Sequence, residues 1–225
     1  MDRNVVISND GSHTIYNPNI DEHYHSSFGA ITESTHIFIE NGLSKTNSEN
    51  IRILEIGFGT GLNALLAMNY GVIKNRIIYY ETVELYPLDA SIINQLNYVK
   101  TINALLEQQF MAMHNLPWNI QKPISEIFSF KKINASALNF EPSGNFDVVF
   151  YDAFSPDKQP ELWSVDLFGK IYKAMNKGGI LTTYCAKGIV KRALKEVGFK
   201  VEVIPGPPGK RHIVRARKEE SVDEN

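Results

Sequence analysis

"IRILEIGFGTGLNALLAMNYG", residues 51–71, changes its period halfway along. Ile51 to Ile56 is a short apolar run rich in branched residues, the pattern of a strand buried on both faces. Gly57, Gly59 and Gly61 follow at every second position, and then Leu62, Leu65 and Leu66 recur at helical spacing. A strand running through glycines straight into a helix is the first half of a βαβ unit. Glycines there allow a tight turn and close backbone approach to a nucleotide-like ligand, while the helix start adds free N–H groups. The spacing is Gly-x-Gly-x-Gly, not the Gly-x-Gly-x-x-Gly of pyrophosphate sites, and no Gly-Lys-Ser/Thr makes a P-loop. Glu55 stands before the first glycine, where a carboxylate can face a cationic ligand. Asn63, at the helix start, joins the same candidate ligand set.

The rest of the chain extends this unit in both directions. "VVISNDGSHTIYN" (5–17) holds two alternating stretches around Asp10-Gly11, a hairpin signal. "IIYYETVE" from Ile77 is a strand, Pro87 opens a helix, and a second helical stretch covers about 100–114. "IFSFKKI" (127–133) and "FDVVFYD" (146–152) are strands. Pro160 starts a helix carrying Trp163, Leu167, Ile171 and Met175 on one side. "GILTTY" is a strand, and "KGIVKRALKEVGF" is a helix ending at Gly198. "KVEVIP", the turn "GPPG" and "RHIVRAR" form a terminal hairpin, joined too tightly for a parallel crossover. Strands alternating with helices predict an α/β fold: a mostly parallel twisted sheet covered on both faces, with an antiparallel end. The expected organisation is an N-terminal hairpin and pocket-lining segment (1–45), a main domain (46–217) and a disordered tail (218–225).

The chain has 225 residues, 43% of them hydrophobic, enough for a substantial core. Net charge is −2, but ten Lys/Arg and two acidic residues lie between Lys187 and Lys218, leaving 13 basic and 23 acidic residues elsewhere. A basic C-terminal face suggests a local anionic partner, although a merely solvated face accounts for the run equally well. Cys185 is the single cysteine, so no intrachain disulfide is possible and a reducing cytoplasm is the easiest fit. "MDRNVVISND" is not a signal peptide, and no apolar run approaches the roughly 18 residues of a membrane span.

Several polar residues fall at the carboxyl ends of the predicted strands, where open α/β sheets bind ligands. Glu84 ends its strand 23 residues after Gly61, near the position from which an acid accepts ribose hydroxyls; Glu81 competes for that role. Asn134 and Ala135 follow the next strand, where an amide can hydrogen-bond a ligand. Asp152 ends the fourth strand and opens "DAFSPDKQPELW" (152–163), a stiff loop with Phe154, Pro156, Lys158 and Trp163. A purely structural loop hardly needs a carboxylate, a lysine and two large aromatics together, though Trp163 suits a core position as well.

Two of these motifs carry a family resemblance. Glu-x-Gly-x-Gly-x-Gly at 55–61 resembles motif I of S-adenosylmethionine-dependent methyltransferases, and a doubly wound sheet with a terminal antiparallel hairpin is the arrangement of the Rossmann-like class I enzymes. "DAFSPDKQPELW" resembles the Asp-x-Phe-x-Pro-x-Lys-x-Pro-x-x-Trp signature of bacterial tRNA methyltransferases that finish 5-methylaminomethyl-2-thiouridine at the wobble position, the methyltransferase half of bifunctional MnmC and its stand-alone relatives. "EHYHSSFGAITESTHIFIENGL", "AKGIVKRALKEVGF" and "PGPPGKRHIVRA" extend the likeness to roughly residues 4–217. The family usually has an acid where Asn134 stands. No flavin oxidase domain follows, so the resemblance implies a stand-alone enzyme that receives an already aminomethylated uridine from separate upstream enzymes.

The resemblance implies S-adenosylmethionine as cofactor, held by Glu55, Gly57, Gly59, Gly61, Asn63, Glu84, Asn134, Ala135, Asp152 and Glu33, with Tyr24 and His25 lining the pocket. It implies Asp152 as the catalytic residue that positions the amine. It implies a tRNA anticodon arm as partner, met by Phe154, Pro156, Lys158, Trp163, Lys187, Lys191, Arg192, Lys210 and Arg211. Lys187, Lys191 and Lys195 share a helix face, Arg215 and Arg217 add to the hairpin, and Phe154 or Trp163 is the expected platform for an extruded base. Asp21, Glu22, His23 and His25 lack a recognisable metal-ligand pattern, and no metal is expected. Two other readings stay open: a methyltransferase for a small molecule or protein, which needs no basic face, and a non-catalytic nucleotide-binding module, which needs neither Asp152 nor its loop.

Overall fold

A computed structural model describes residues 3–142 and 144–219; most of the tail expected to be disordered lies outside them. The N-terminal segment forms a small antiparallel sheet of β1 (Asn4–Ile7), β2 (His13–Asn17) and β3 (Glu22–His23). Helix α1 (Ala30–Ser34) follows and runs on into a wider-wound turn over Thr35–Glu40. The main domain then alternates strand and helix: β4 (Asn50–Ile56), α2 (Leu62–Lys74), β5 (Ile77–Glu84), α3 (Ala90–Ile93), α4 (Tyr98–Ile102) and α5 (Glu107–Asn115). It continues through β6 (Lys122–Ser125), β7 (Phe128–Asn134), β8 (Phe146–Tyr151), α6 (Val165–Ala174), β9 (Met175–Thr183), α7 (Gly188–Val197), β10 (Phe199–Pro205) and β11 (His212–Lys218).

The large sheet has the order β10-β11-β9-β8-β4-β5-β7-β6. Its central pairs, from β9 to β7, are parallel, while β6, β11 and β10 join antiparallel. This is the doubly wound arrangement expected from the alternation. β4 is flanked by β5 and β8, and from Ile53 to Ile56 it is buried on both faces by the two cores, while Asn50 and Arg52 at its start stay exposed. Alternate residues feed two cores. Ile53 joins Leu65, Tyr80, Phe130 and Phe150 on one face. Leu54 joins Val149, Tyr151, Trp163 and Phe168 on the other. Each such fully buried aliphatic side chain contributes roughly 1.5–3 kcal/mol.

Local chemistry moves several expected boundaries. Pro160 opens only a single tight turn, Pro160–Trp163; α6 starts afresh at Val165, because the Ser164 side chain accepts the Leu167 N–H at 3.3 Å. Met175 consequently belongs to β9, not to the helix. The helical stretch expected at 100–114 breaks at Asn103, whose extended backbone and side chain cap a new start by accepting the Leu105 N–H. Helix α3 begins after Asp89 rather than at Pro87. Strand β6, which the sequence does not announce, contains Pro123 and survives because it is the sheet edge. α7 ends as expected at Gly198, with φ of 108°. Among the described helices, none is long and apolar enough to cross a membrane.

Candidate active site

The parallel strands β4, β5, β7 and β8 end on one side of the sheet, and a cavity of about 750 Å³ opens there. Its floor is the glycine loop. Gly57 has φ of 94° and Gly59 of 48°, conformations that favour glycine. A Cβ at Gly57 would lie 2.6 Å from the Asp152 carbonyl oxygen, and one at Gly59 would lie 3.0 Å from the Tyr24 ring. Gly57 and Gly59 line the cavity, whereas Gly61 begins α2 below it.

Glu84 closes this loop. Its Oε2 accepts the Gly59 N–H at 3.0 Å and its Oε1 accepts the Tyr86 N–H at 2.7 Å, and the side chain faces the cavity. The competitor Glu81 is buried in an ion pair with Lys131 at 3.0 Å, away from the wall. Strand alternation separates the two, since residues three apart point to opposite faces. Asn134 does not line the cavity. Its amide donates to the Glu84 carbonyl at 3.0 Å, tying two strand ends together, and the wall beside it runs from Ala135 to Leu138.

Asp152 is half-buried at the wall, with Asn63 Nδ2 donating to its Oδ2 at 2.8 Å. Burial pushes its carboxyl up to about 7; the Asn63 bond lowers it, Glu33 raises it and Lys210 lowers it again. Lys210, in the turn between β10 and β11, lines the cavity, pairs with Glu33 at 3.0 Å and lies 4.9 Å from the Tyr184 ring centre. Glu33, nearly buried, also accepts the Ser26 N–H at 3.0 Å.

Glu55 departs from its expected place. It has no exposed surface and does not reach the cavity, so it is not a carboxylate facing a cationic ligand; it sits behind the wall with Asn63. Trp163 departs too. Its indole is buried in the core and its Nε1 donates to the Phe154 carbonyl at 2.8 Å, so it braces the loop and offers no platform in the cavity. Pro156 is buried in the same loop and off the wall, while Phe154 and Lys158 line it. Phe154 meets Tyr24 edge-on, with ring centres 5.1 Å apart.

The basic residues divide. Lys187 is the N-cap of α7, not a helical residue, and it pairs with Asp157 in the Asp152 loop. Lys191 is half-buried; Arg192, Lys195 and Arg211 are exposed, and none of these four lines the cavity. Arg215 and Arg217 are both engaged by Glu202, which reduces the basic face inferred from the charge run.

The N-terminal segment supplies cavity residues that the sequence did not assign to the site. Arg3 lines the cavity and donates to the Tyr86 and Pro87 carbonyls. Glu22 accepts from the Ser155 backbone and hydroxyl at 3.3 and 3.0 Å, and Phe28 stands at the rim, 52% exposed. The glutamate and its serine are 133 residues apart, so no local pattern links them. Of the potential metal residues, Asp21 accepts from Tyr16 and the buried His25 Nε2 meets Thr60 Oγ1 at 2.7 Å. Burial lowers His25 to about 4, which keeps it neutral between the small sheet and the glycine loop.

These features fit S-adenosylmethionine. A glycine backbone lies open to the cavity, Glu84 retains lone pairs for ribose hydroxyls, and carboxylates of Glu22, Glu33 and Asp152 suit a ligand with ammonium and sulfonium groups.

Comparison with known proteins agrees with this chemistry. Residues 120–219 match a family model described as S-adenosyl-L-methionine-dependent methyltransferase. The tRNA 5-methylaminomethyl-2-thiouridine biosynthesis bifunctional protein MnmC of Delftia acidovorans is 27% identical over 217 residues, or 90% of this chain. The protein of that name from Cupriavidus metallidurans is 29% identical over 228 residues, or 94% of this chain. The chain spans about a third of the length of these relatives, 33% in both cases. Among solved structures, MNMC2 from Aquifex aeolicus superposes with a TM-score of 0.77 at 27% identity, over 97% of this chain and 71% of that one. Spermidine synthase from Thermotoga maritima shares the fold, with a TM-score of 0.55 at 13% identity over 96% of this chain and 72% of that one. With its glycine loop, its sheet order and this likeness along nearly its whole length, the chain resembles the MnmC methyltransferases and has the fold of class I, S-adenosyl-L-methionine-dependent methyltransferases.

Proposed function

We propose that the chain N-methylates the aminomethyl group of a tRNA wobble uridine, giving 5-methylaminomethyl-2-thiouridine. The observation that carries this reading is Asp152: a carboxylate on the cavity wall, beside the glycine loop, with its pKa raised to about 7. S-adenosylmethionine, when bound, supplies a methyl group activated on a sulfonium.

The acceptor is an alkylamine comparable with lysine, whose reference pKa is about 10.4. Freeing its lone pair at pH 7 costs roughly 4–5 kcal/mol. In the transfer, the nitrogen pair forms the new N–C bond, the S–C bond breaks with its electrons left on sulfur, and the new ammonium later releases a proton. Asp152 holds the amine by accepting its N–H, which aims the lone pair; alignment of this kind supplies much of the rate of a displacement. A carboxyl near 7 can also take the released proton, which one near 4 does poorly at neutral pH. Phe154, Pro156 and the bracing Trp163 keep the loop beside Asp152 stiff and exclude water.

On the RNA side, Lys158 and Lys210 reach the cavity, while Arg192, Lys195 and Arg211 present exposed cations for phosphates. Phe154 and the rim residue Phe28 are the rings available for stacking an extruded base. The MnmC names of the relatives support tRNA as the substrate. Enzymes that install the aminomethyl group act upstream. The test is single-turnover incubation with labelled S-adenosylmethionine and tRNA lacking the methyl group, followed by nucleoside mass spectrometry. Methylation of the aminomethyl uridine is expected, and Asp152→Ala should slow it far more than it weakens tRNA binding. If tRNA remains unmodified while a small molecule or protein is methylated, the reading is wrong.

A further inference from the structure

The ends of four neighbouring strands stand in a row along the cavity. Glu84 ends β5, Gly57 follows β4, Asp152 follows β8 and Tyr184 follows β9. The features that fit the cofactor, Glu84 and the glycine loop, take the β5–β4 half of this row. The half from Asp152 to Tyr184 is left for the acceptor.

The carboxyls on that side differ in what they have left to offer. Glu22 spends both oxygens on Ser155. Glu33 is only 8% exposed, and its Oε1 takes the Ser26 N–H. Its Oε2 is buried and accepts no directed hydrogen bond among the described residues, although Lys210 Nζ lies 3.0 Å away. Buried carboxyl oxygens are normally hydrogen-bonded, so one on a cavity wall with only an ionic neighbour marks a place for a donor.

Lys210 shows what that place holds. Its Nζ is a primary alkylammonium, set against Glu33 Oε2 and 4.9 Å from the centre of the Tyr184 ring. It also acts electrostatically on Asp152. An acid, an aromatic ring and a second acid are the elements of a site for an alkylammonium. The ring is fixed, because Tyr184 Oη donates to the Ala153 carbonyl at 2.9 Å. The Lys210 backbone is fixed as well. Its N–H donates to the Pro207 carbonyl at 3.0 Å, and Gly206 N–H closes the turn on the Arg211 carbonyl at 3.1 Å. Gly209, with φ of 83°, lies so close to the Phe28 ring that a Cβ would collide with it. The flexible stem of Lys210 is therefore the part that can swing away.

On the reading that the acceptor is an aminomethyl uridine, we infer that Glu33 and Tyr184 form the subsite for its primary amine, and that Lys210 Nζ fills this subsite until the acceptor displaces it. Glu33 thereby serves the acceptor and not the cofactor. A neutral primary amine has two N–H bonds and one lone pair. Asp152 alone would leave the nitrogen free to turn about a single hydrogen bond. With Glu33 accepting the second N–H, the lone pair keeps one direction, toward the methyl donor.

The test measures binding without turnover, on the full chain saturated with the demethylated cofactor, S-adenosylhomocysteine. The probes are 5-aminomethyluridine and its neutral counterpart 5-hydroxymethyluridine, titrated at pH 7 by NMR. Wild type should bind the amine at least about tenfold more tightly. Glu33→Gln keeps an oxygen for the Ser26 N–H and should lose most of that preference, with S-adenosylmethionine affinity unchanged within about twofold. Lys210→Met keeps the stem without the competing charge and should tighten amine binding at least about threefold. The probes carry no phosphate, so any role of Lys210 toward RNA does not enter. Equal binding of the two probes by wild type, a preference intact in Glu33→Gln, or weaker amine binding in Lys210→Met would each overturn the subsite. Lost S-adenosylmethionine affinity in Glu33→Gln would assign the carboxyl to the cofactor's own ammonium and overturn it too. A Glu33-dependent preference in a chain that leaves tRNA unmethylated would sink the proposed reaction and leave the subsite standing.

Discussion

Glu84 accepts a hydrogen bond from the backbone N–H of Gly59 at 3.0 Å, so the end of β5 fixes the shape of the glycine loop after β4. The same carboxylate has lone pairs left for a ribose. Glu84→Gln replaces one acceptor oxygen with a donor, which disrupts either the loop bond or a ribose contact. S-adenosylmethionine affinity should fall by about 1–3 kcal/mol, or roughly 5- to 150-fold, measured by calorimetry. An unchanged affinity would remove Glu84 from the cofactor site.

Asp152 links pH to both stability and rate, with opposite signs. Its folded-state carboxyl is raised to about 7 from an ordinary 3.8, so the unfolded chain loses this proton first. Its contribution to stability therefore declines as pH climbs from about 4 to about 7. Asp152→Asn should leave stability nearly unchanged at pH 4 and raise it above pH 7, with a ceiling of about 4 kcal/mol and a smaller gain where water wets the wall. Urea titrations across pH read this directly. Methylation should rise through about pH 7 in wild type and collapse in the variant, because the ionised acceptor is the active form.

The charges proposed to face RNA are best tested away from the Asp152 loop. Lys187 is paired with Asp157, so its removal would disturb that loop as well. Lys191, Arg192 and Lys195 lie on α7 clear of the cavity. Replacing these three with alanine should reduce the slope of log affinity against log salt by about 2–3 and leave cofactor binding unchanged. Fluorescence anisotropy with tRNA over a salt series measures the slope. No change in slope would mean that α7 presents only a solvated face.

The α/β frame was legible because period and punctuation are local. Ile51–Ile56, the three glycines and the Leu62 helix lie in contiguous sequence, and Gly198 stops α7 by its own backbone. What escaped depends on partners. Asn103 and Ser164 break helices through side-chain caps that the apolar pattern does not reveal. Glu55 carries the right residue type, but it is fully buried behind the cavity wall and does not reach the ligand space. Trp163 stands in a ligand-like motif, yet its ring belongs to the core under Tyr151 and Phe168. The contributions of Arg3, Glu22 and Phe28 arise only when the small sheet folds over strand ends distant in the chain.

Gly57 leaves no room for a side chain between its own Cα and the Asp152 carbonyl, 2.6 Å from where a Cβ would stand. The glycine loop and the acid thus form one fixed unit, set by the β4–β8 ladder. The segments above it come from elsewhere: the small sheet from the N-terminus and Lys210 from the terminal hairpin. Such a division makes the scaffold modular. A new acceptor can be accommodated by exchanging the overlying segments while donor and acid keep their mutual aim. A side chain at position 57 would displace both at once, and no change in the overlying segments would re-aim them.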